Sequence, residues 1–441
     1  MALISVNAGQ CGNQLGFDFL QSIYENTSQD PEELEMFFRR PNAPNGKPIA
    51  RAVCLDTEPK AVLSCLQRSA RKEWAYDPSS CAYRHGGAGN NWAMGYQMCS
   101  GKFLDTSIDC IRRELEHCDL PPSILISHSI GGGTGSGLGT KITEVAADEF
   151  PDVTRLNAAV MPYHFGEVIV QHFNSVLCLS KVAHNSDGIM LFDNEIAHDM
   201  CKNGFGKDRP VLKDLNLAIA MGLVSSFLPK NTPGGSRSGQ SNSLAMQISH
   251  MCAHPGYRFL DVKFVPQTSE RSIEYTYDTW KALIGRLQAM QQRGTTSELQ
   301  VSTSRSGSRP LTATTPPDPE LAGRAACKTL SGVLTLRGQD ADAAVSSMTI
   351  NCADDSTPAP ETGPVNLYYS THHVNGYQRS ASIMSNGQSV LPYLKRPALK
   401  AAKMFSSGAY VHQYTDLGIE RDEFQDAFLN IGQIIQNYQS L

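Results

Sequence analysis

The stretch Ile130–Gly139 reads I-G-G-G-T-G-S-G-L-G and comes directly after an apolar run, Ser123–Ser129, that we predict to be a strand. Five glycines among the seven residues Gly131–Gly137 predict positive φ angles and a close approach of backbone N–H groups to an anion. A helical pattern opens at Thr140, and the positive end of a helix dipole favours a di- or triphosphate. A Walker-type lysine is missing and the G-x-G-x-x-G spacing is not met cleanly, so a flexible glycine turn is the alternative interpretation.

Outward from this segment, the first half of the chain alternates short apolar runs with amphipathic stretches. This pattern is typical of an α/β fold with a doubly wound, mostly parallel sheet. The predicted strands of this half are Ala2–Asn7, Ile49–Asp56, Ser123–Ser129, Leu156–Met161 and Gly188–Asp193. Ligands of such sheets bind at the carboxyl ends of the strands, so we expect the functional residues at that edge.

The second half of the chain is less regular. A loop rich in Gly, Ser and Asn at 231–243 indicates a domain hinge, and the Ser-, Thr-, Pro- and Gly-rich segment 294–323 predicts a mobile surface insertion. That segment has too few large apolar side chains to offset its ordering entropy. The other predicted elements are helix 213–228, strand 257–266, helix 278–292, strands 330–337 and 365–370, and helices 397–405 and 420–438. The last helix has an apolar stripe, which predicts packing on the body rather than partner binding.

Composition excludes several classes of protein. The chain has 441 residues and a formal net charge of −5, which is not the footprint of a nucleic-acid-binding protein. Its 41% of apolar residues can bury the cores of two or three domains. The apolar runs are shorter than the roughly 18–20 residues of a membrane span, and Met1–Gln10 lacks the pattern of a secretory signal. Twelve cysteines without a C-x-x-C spacing indicate a reducing compartment, not a disulfide framework or metal cluster.

Two further clusters follow the first two predicted strands. Ala8–Gly16 is a second glycine-containing segment whose amides can hold phosphate, and Gln10 offers a neutral contact for a magnesium-bound water. Asp56 and Glu58 end the second strand and supply the hard oxygen ligands that Mg²⁺ prefers. An isolated Asp-x-Glu is more often a solvated strand end. Beside two glycine segments, we interpret it as the metal side of a phosphate site.

Together these motifs resemble the tubulin superfamily. Gly131–Gly137 is the signature heptapeptide of that family unaltered, Gly9–Gly16 is similar to its opening loop, and Gly86–Ala93 is similar to a third phosphate-contacting loop. The resemblance covers nearly the whole chain except the insertion. Other segments that match the family are 193–195, 214–216 and 414–424. Three segments resemble the delta subfamily most, namely 48–53, 166–171 and 410–414, and the zeta subfamily is the next most similar.

The resemblance implies a GTP- or GDP-binding Rossmann-like domain at 1–230, an α+β intermediate domain at 231–390 and two C-terminal helices at 391–441. It also implies roles for individual residues. Those that would contact phosphates are Gly9, Gln10, Cys11, Asn90, Ser129, Gly132, Gly133, Thr134 and Gly135. Asp56 and Glu58 would lie on the Mg²⁺ side, and Glu167 would face the ribose. Asn194 and Asn216 would read the guanine edge, where an amide offers donor and acceptor together.

Three positions depart from the family pattern. Alpha-tubulin hydrolyses the nucleotide of its neighbour with a glutamate on the helix after the Gly- and Ser-rich loop, and the matching position here is Met246. A thioether cannot orient or deprotonate water, so only weak GTPase activity is expected. The family usually has an aromatic ring over guanine where Leu212 stands and an acidic residue where Gln171 stands. Base stacking contributes about 1–3 kcal/mol, so lower nucleotide affinity is expected.

The resemblance therefore implies a guanine-nucleotide-binding cytoskeletal protein of centrioles, basal bodies or cilia in the cytoplasm. Its expected partners are other tubulins or centriole components, not nucleic acid or membrane. Ala427–Leu441 contains no charged side chain, so recruitment of basic partners by an acidic tail is not expected. Two alternatives stay open: a scaffold of the same fold that binds nucleotide poorly, and an NAD-dependent oxidoreductase, which also uses a glycine loop after a strand.

Overall fold

The computed structural model describes residues 2–27, 30–41, 46–119, 122–164, 166, 168–233, 243–269, 272, 279–302, 326–352 and 364–441. The strands within these ranges are β1 (Ala2–Ala8), β2 (Phe38–Arg39), β3 (Ile49–Ala50), β4 (Ala52–Asp56), β5 (Cys81–Tyr83), β6 (Pro122–Ser129), β7 (Thr154–Met161), β8 (Gly188–Asp193), β9 (Phe259–Val265), β10 (Thr329–Gly338), β11 (Val365–Ser370) and β12 (Arg379–Gly387).

The helices are distributed along the whole chain. They are α1 (Gly9–Thr27), α2 (Pro31–Glu35), α3 (Pro59–Ala70), α4 (Trp92–Met98), α5 (Gly101–Glu116), α6 (Thr134–Glu149), α7 (Gln171–Asn185), α8 (Asn194–Asp199), α9 (Leu212–Phe227), α10 (Leu244–Met251), α11 (Trp280–Arg293), α12 (Leu299–Ser302), α13 (Ala341–Cys352), α14 (Leu391–Ser406), α15 (His412–Thr415) and α16 (Arg421–Gln439). Among the described helices, none is both long and apolar enough to cross a bilayer.

A ten-stranded sheet runs through the molecule in the order β11-β10-β12-β9-β8-β7-β6-β1-β4-β5. The six neighbouring strands β8, β7, β6, β1, β4 and β5 are all parallel, which confirms the predicted doubly wound α/β fold. Strand β9 extends this sheet by pairing in parallel with β8 at Ile189 and Met190, and it pairs antiparallel with β12. The second half of the chain therefore adds a mixed sheet to the edge of the parallel one.

The side chains of β1 point alternately to the two faces of the parallel sheet, and helices cover both faces. Leu3 packs in one core cluster with Leu15 and Phe19 of α1, whereas Ile4 packs in another on the opposite face, with Leu138 of α6. Successive side chains of a strand point to opposite faces, so a strand buried on both sides is mostly apolar, and the two polar side chains of β1, Ser5 and Asn7, are bonded to each other at 2.9 Å. This arrangement places α1 and α6, the helices that follow β1 and β6, on opposite faces of the sheet.

The structure interrupts one predicted strand, and it contains strands that were not predicted, namely β2, β5 and β12. The strand predicted at Ile49–Asp56 is interrupted at Arg51, whose guanidinium donates to the backbone oxygens of Glu35 at 3.0 Å and His117 at 2.9 Å. Strand β12 was not predicted at all, because its serines and asparagine resemble a loop. In the fold these groups are buried and bonded, for example Asn386 to the carbonyl of Met251 at 2.8 Å.

The last helix packs on the body as predicted. Phe424 and Ile431 of α16 are buried and contact the core cluster that includes Phe173 of α7. Helix α14 begins at Leu391, so the predicted start at Pro397 is wrong. Proline inside a helix costs a hydrogen bond, but Pro397 is buried there, and packing offsets that cost.

The start of the predicted mobile insertion is also wrong. Within 294–302, Glu298 is buried, its backbone N–H donates to Gln267 Oε1 at 2.9 Å and its carboxylate accepts from the Gln267 backbone N–H at 2.9 Å. These contacts join the segment to the end of β9. The remainder, 303–323, lies outside the described residues, as does most of the predicted hinge at 231–243.

Candidate functional site

The site expected from the topology lies at the carboxyl ends of β1, β4 and β6. Strand β1 lies between β4 and β6, so the chain connections diverge on either side of it, which creates a crevice at the strand ends. Helix α1 begins at Gly9, directly after β1, and α6 begins at Thr134, shortly after β6. Two helix N-termini, whose first N–H groups have no acceptor within their own helix, therefore open at this crevice.

The segment Ala8–Gly16, which contains the opening loop that the family resemblance identifies, is instead a tight turn that leads directly into α1. Gly9 has φ of +74°, and a Cβ at Gly9 would lie 2.8 Å from the backbone nitrogen of Gly135. Gln10 is exposed in the first turn of α1, whereas burial raises the pKa of the Cys11 thiol to about 12, so it stays protonated. Buried Asn13 donates to the carbonyls of Gly9 and Leu55, each at 2.9 Å. This amide joins the ends of β1 and β4.

The glycines of the signature segment serve close packing. None of Gly131–Gly137 has a positive φ, so that part of the prediction is wrong. A Cβ at Gly133 would lie 2.6 Å from the backbone nitrogen of Asn91, and one at Gly135 would lie 2.8 Å from the Ser129 carbonyl oxygen. Gly132 is different, because a Cβ there would meet no heavy atom within 4 Å.

Helix α6 begins six residues earlier than the pattern at Thr140 predicts. Glycine is a weak helix former, but Gly137 allows α4 to approach α6: a Cβ there would lie 2.4 Å from the carbonyl oxygen of Trp92. Tertiary packing therefore overrides propensity. The consequence is that Thr134 is the first residue of α6 and lies in the crevice.

The two candidate metal ligands differ in their surroundings. Asp56 is 4% exposed at the end of β4, and Glu58 is exposed. Burial raises the pKa of Asp56 to about 6, which the backbone N–H groups of Glu58 and Thr57 partly oppose. The Thr57 hydroxyl contacts the Thr134 hydroxyl at 2.7 Å, so this strand end adjoins the start of α6.

Two carboxylates alone make an incomplete metal site. No group of three or more His, Cys, Asp or Glu side chains in the described part of the chain is arranged to hold a metal. Mg²⁺ usually takes one or two carboxylates and completes its shell with waters and substrate phosphates. Asp56 and Glu58 fit that donor set beside a phosphate site.

The loop Gly86–Ala93 closes the crevice from the side. Asn90 is exposed and has φ of +55°, whereas Asn91 is buried and its side chain accepts from the N–H of Ala93 at 2.8 Å, capping α4. A Cβ at Gly87 would lie 2.5 Å from Glu58 Oε1, which shows how closely this loop approaches the carboxylates. The phosphate-side residues predicted from the sequence are thus brought together.

The residues predicted to contact guanine and ribose follow later strands of the same sheet. Asn194 is the first residue of α8 and is half-buried, Asn216 lies in α9 and is buried, and these two helices pack together. Leu212 begins α9 with 57% of its side chain exposed, and Gln171 is buried and donates to the Tyr163 carbonyl at 3.0 Å. Glu167, predicted to face the ribose, lies outside the described residues.

One polar residue at the site was missed by the sequence reasoning. Asn174 of α7 is fully buried and its side chain contacts both the Gly86–Ala93 loop and the signature glycine segment. The available signal was an amide within the mostly apolar stretch Phe173–Leu179, where Ser175 is the other polar residue. Buried amides are rare without partners, so such a residue indicates a fixed polar contact.

Comparison with known proteins agrees with this geometry. Residues 2–202 match the family model described as "Tubulin/FtsZ family, GTPase domain". The whole chain is similar to the whole of the tubulin delta chain of Homo sapiens, with 32% identity over 461 aligned positions. Identity to the tubulin delta chain of Canis lupus familiaris is 31%, again over all of both chains. The tubulin beta-7 chain of Gossypium hirsutum is 27% identical over 99% of this chain and 95% of that relative.

Proposed function

The chain belongs to the tubulin family, as a guanine-nucleotide-binding cytoskeletal protein, and we propose that the crevice at the ends of β1, β4 and β6 is its nucleotide site. The observation that supports this assignment best is the close approach of two helix N-termini, where a Cβ at Gly9 would lie only 2.8 Å from the backbone nitrogen of Gly135. Their N–H groups and aligned dipoles favour bound phosphate. Two residues before α6, a Cβ at Gly132 would meet no heavy atom within 4 Å, so the fold leaves space there for a ligand.

Each predicted residue has a role in this proposal. Backbone and side-chain donors contact the phosphates, and they are Gly9, Gln10, Cys11, Asn90, Ser129, Gly132, Gly133, Thr134 and Gly135. Glu167 contacts the ribose, and the amides of Asn194 and Asn216 read guanine. Because the Cys11 thiol stays protonated, it places no negative charge beside the phosphates.

We also propose that Asp56 and Glu58 lie on the side of a Mg²⁺ ion bound with the phosphates. The ion would neutralise phosphate charge, while the two carboxylates orient its coordinated waters. Asp56 must be ionised to do this. Because its pKa is about 6 without metal, Mg²⁺ affinity should fall as the pH drops below 6.

Replacing Asp56 with Asn should have opposite effects with and without metal. The metal-free fold raises the pKa of Asp56 from 3.8 to about 6, so stability is lost as pH rises through that window and stays lower at pH 7. Asp56→Asn should therefore raise the melting temperature of nucleotide- and metal-free protein at pH 7. With GDP and Mg²⁺ present, wild type should become the more stable of the two. An Asn variant that gains as much from Mg²⁺ as wild type would exclude Asp56 from the metal site.

The cellular proposal is that the protein acts at centrioles or basal bodies, with other tubulins or centriole components as partners. Its support is full-length similarity to proteins named tubulin delta chain. Locating a tagged copy at ultrastructural resolution tests this directly. Signal confined to centrioles or basal bodies is expected, whereas uniform signal along cytoplasmic microtubules would contradict it.

A further inference from the structure

We propose that Asn174 and Tyr414 are positioning residues that couple the phosphate-contacting loops to the C-terminal segment. This inference rests on the proposed nucleotide site and adds a connection from it to a part of the chain distant in sequence. The connection is a short chain of buried hydrogen bonds. Each bond in it joins a different segment.

Asn174 uses its whole side-chain amide. Its Oδ1 accepts from the backbone N–H of Trp92 at 2.8 Å, and its Nδ2 donates to the carbonyls of Asn90 at 2.8 Å and Gly131 at 2.9 Å. The residue is fully buried. One amide thus sets the spacing between the Gly86–Ala93 loop and the signature glycine segment, at residues directly beside the proposed phosphate contacts.

Tyr414 brings the C-terminal segment into this arrangement. Its hydroxyl donates to Asn174 Oδ1 at 2.6 Å, and the residue is fully buried. Burial raises the pKa of the Tyr414 phenol well above its usual value, so the hydroxyl remains a proton donor. Its ring packs between Phe173 of α7 and Phe424 of α16, at centroid distances of 5.6 and 5.3 Å. A shift of α16 therefore moves the hydroxyl that orients Asn174.

Two further bonds join the same segments. The Asn91 side chain donates to the Gln413 carbonyl at 3.1 Å, and Gln97 Nε2 donates to the carbonyl of Leu417. Gln413 itself is exposed on the outside of the short helix α15. The Gly86–Ala93 loop and α4 are thus held to residues 413–417 on one side and to Asn174 on the other.

Loss of the Tyr414 hydroxyl should affect nucleotide binding more than the fold. Tyr414→Phe keeps the ring packing but frees Asn174 to tilt away from the two carbonyls. A buried hydrogen bond contributes about 0.5–1.5 kcal/mol, which corresponds to roughly 2- to 10-fold in an equilibrium constant. We expect the Kd for GDP to rise by about that factor. Binding coupling is reciprocal, so GDP should slow amide exchange in residues 411–419 of wild type, and less so in the variant.

Tyr438→Phe is a matched control. Tyr438 is also fully buried, and its hydroxyl donates to Asn386 Oδ1 at 2.8 Å and accepts from the Phe259 N–H at 3.0 Å, at the other end of α16. It touches no proposed nucleotide loop. This substitution should lower the melting temperature at least as much as Tyr414→Phe, without changing the Kd for GDP more than twofold.

The experiment measures GDP binding and hydrogen exchange on full-length wild type, Tyr414→Phe and Tyr438→Phe, each first stripped of nucleotide. A raised Kd and reduced exchange protection only in Tyr414→Phe support the inference. Equal effects of the two substitutions, or a Tyr414→Phe variant that binds as wild type does, would overturn it while leaving the nucleotide site intact. Wild type that binds no guanine nucleotide would overturn the proposed function and this coupling together.

Discussion

Gly132→Val should sharply reduce nucleotide retention while leaving the fold intact. A Cβ at Gly132 meets no protein atom within 4 Å, and the residue has no positive φ that valine would resist. The added methyl groups should instead occupy the space proposed for phosphate. Inserting atoms into a filled site costs about 1–3 kcal/mol, so affinity should fall by roughly 5- to 150-fold. Retained nucleotide and the melting temperature of stripped protein measure the two effects separately.

Gly133→Val provides the contrast. A Cβ there would lie 2.6 Å from the backbone nitrogen of Asn91 and 2.8 Å from the carbonyl oxygen of Ala88, so this variant should lower the melting temperature itself. Nucleotide loss in Gly133→Val therefore does not identify a phosphate site, whereas loss in Gly132→Val does. Full retention of guanine nucleotide by Gly132→Val would show that this segment is not where phosphate binds.

Met246→Glu should create GTP hydrolysis that increases with protein concentration. The family resemblance implies that a subunit supplies this position to its neighbour's nucleotide, and Met246 is 53% exposed at the start of α10. Wild type lacks a carboxylate there, so assembly should not accelerate turnover. A positioned general base contributes typically 10²- to 10⁴-fold, which is the gain expected for self-associating Glu variant over wild type.

The substitution is compatible with the local fold. Ser243 caps α10 by accepting from the Met246 N–H at 3.2 Å, so glutamate at 246 completes a capping box at a helix N-terminus. Met246→Gln is the matched control, because it can form the same cap but cannot accept a proton from water. Concentration-dependent hydrolysis in wild type, or an equal gain in the Gln variant, would contradict the proposed role of this position.

The parallel half of the fold was predictable because its strands are long buried apolar runs. Leu3 and Ile4 face opposite helix layers, so β1 needs apolar residues on both faces, and its pattern stays mostly apolar although Ser5 and Asn7 are buried polar residues within it. Strand β12 was not predictable, since Ser385 and Asn386 become strand residues only when Asp261 and Met251 supply partners from distant segments. Local sequence does not contain those partners.

The residues proposed to contact phosphate come from segments that the fold brings together, but the way those segments pack was not predictable from the sequence. The glycines of the signature segment were expected to supply positive φ, yet the fold uses them to let the Asn91 and Trp92 backbone approach α6. That requirement depends on where α4 packs, which spacing along the chain does not reveal. The role of Asn174 was not predicted for the same reason, because its four hydrogen-bond partners lie on three separate segments.

We propose that this protein binds a guanine nucleotide in the crevice beside Gly132, and the most direct test is to identify the nucleotide released when purified protein is denatured. We expect GDP or GTP close to one per chain from wild type, and a large loss from Gly132→Val. Release of no nucleotide from wild type would favour a scaffold that has kept the fold without the ligand. Release of NAD instead would contradict the proposed guanine-nucleotide site altogether.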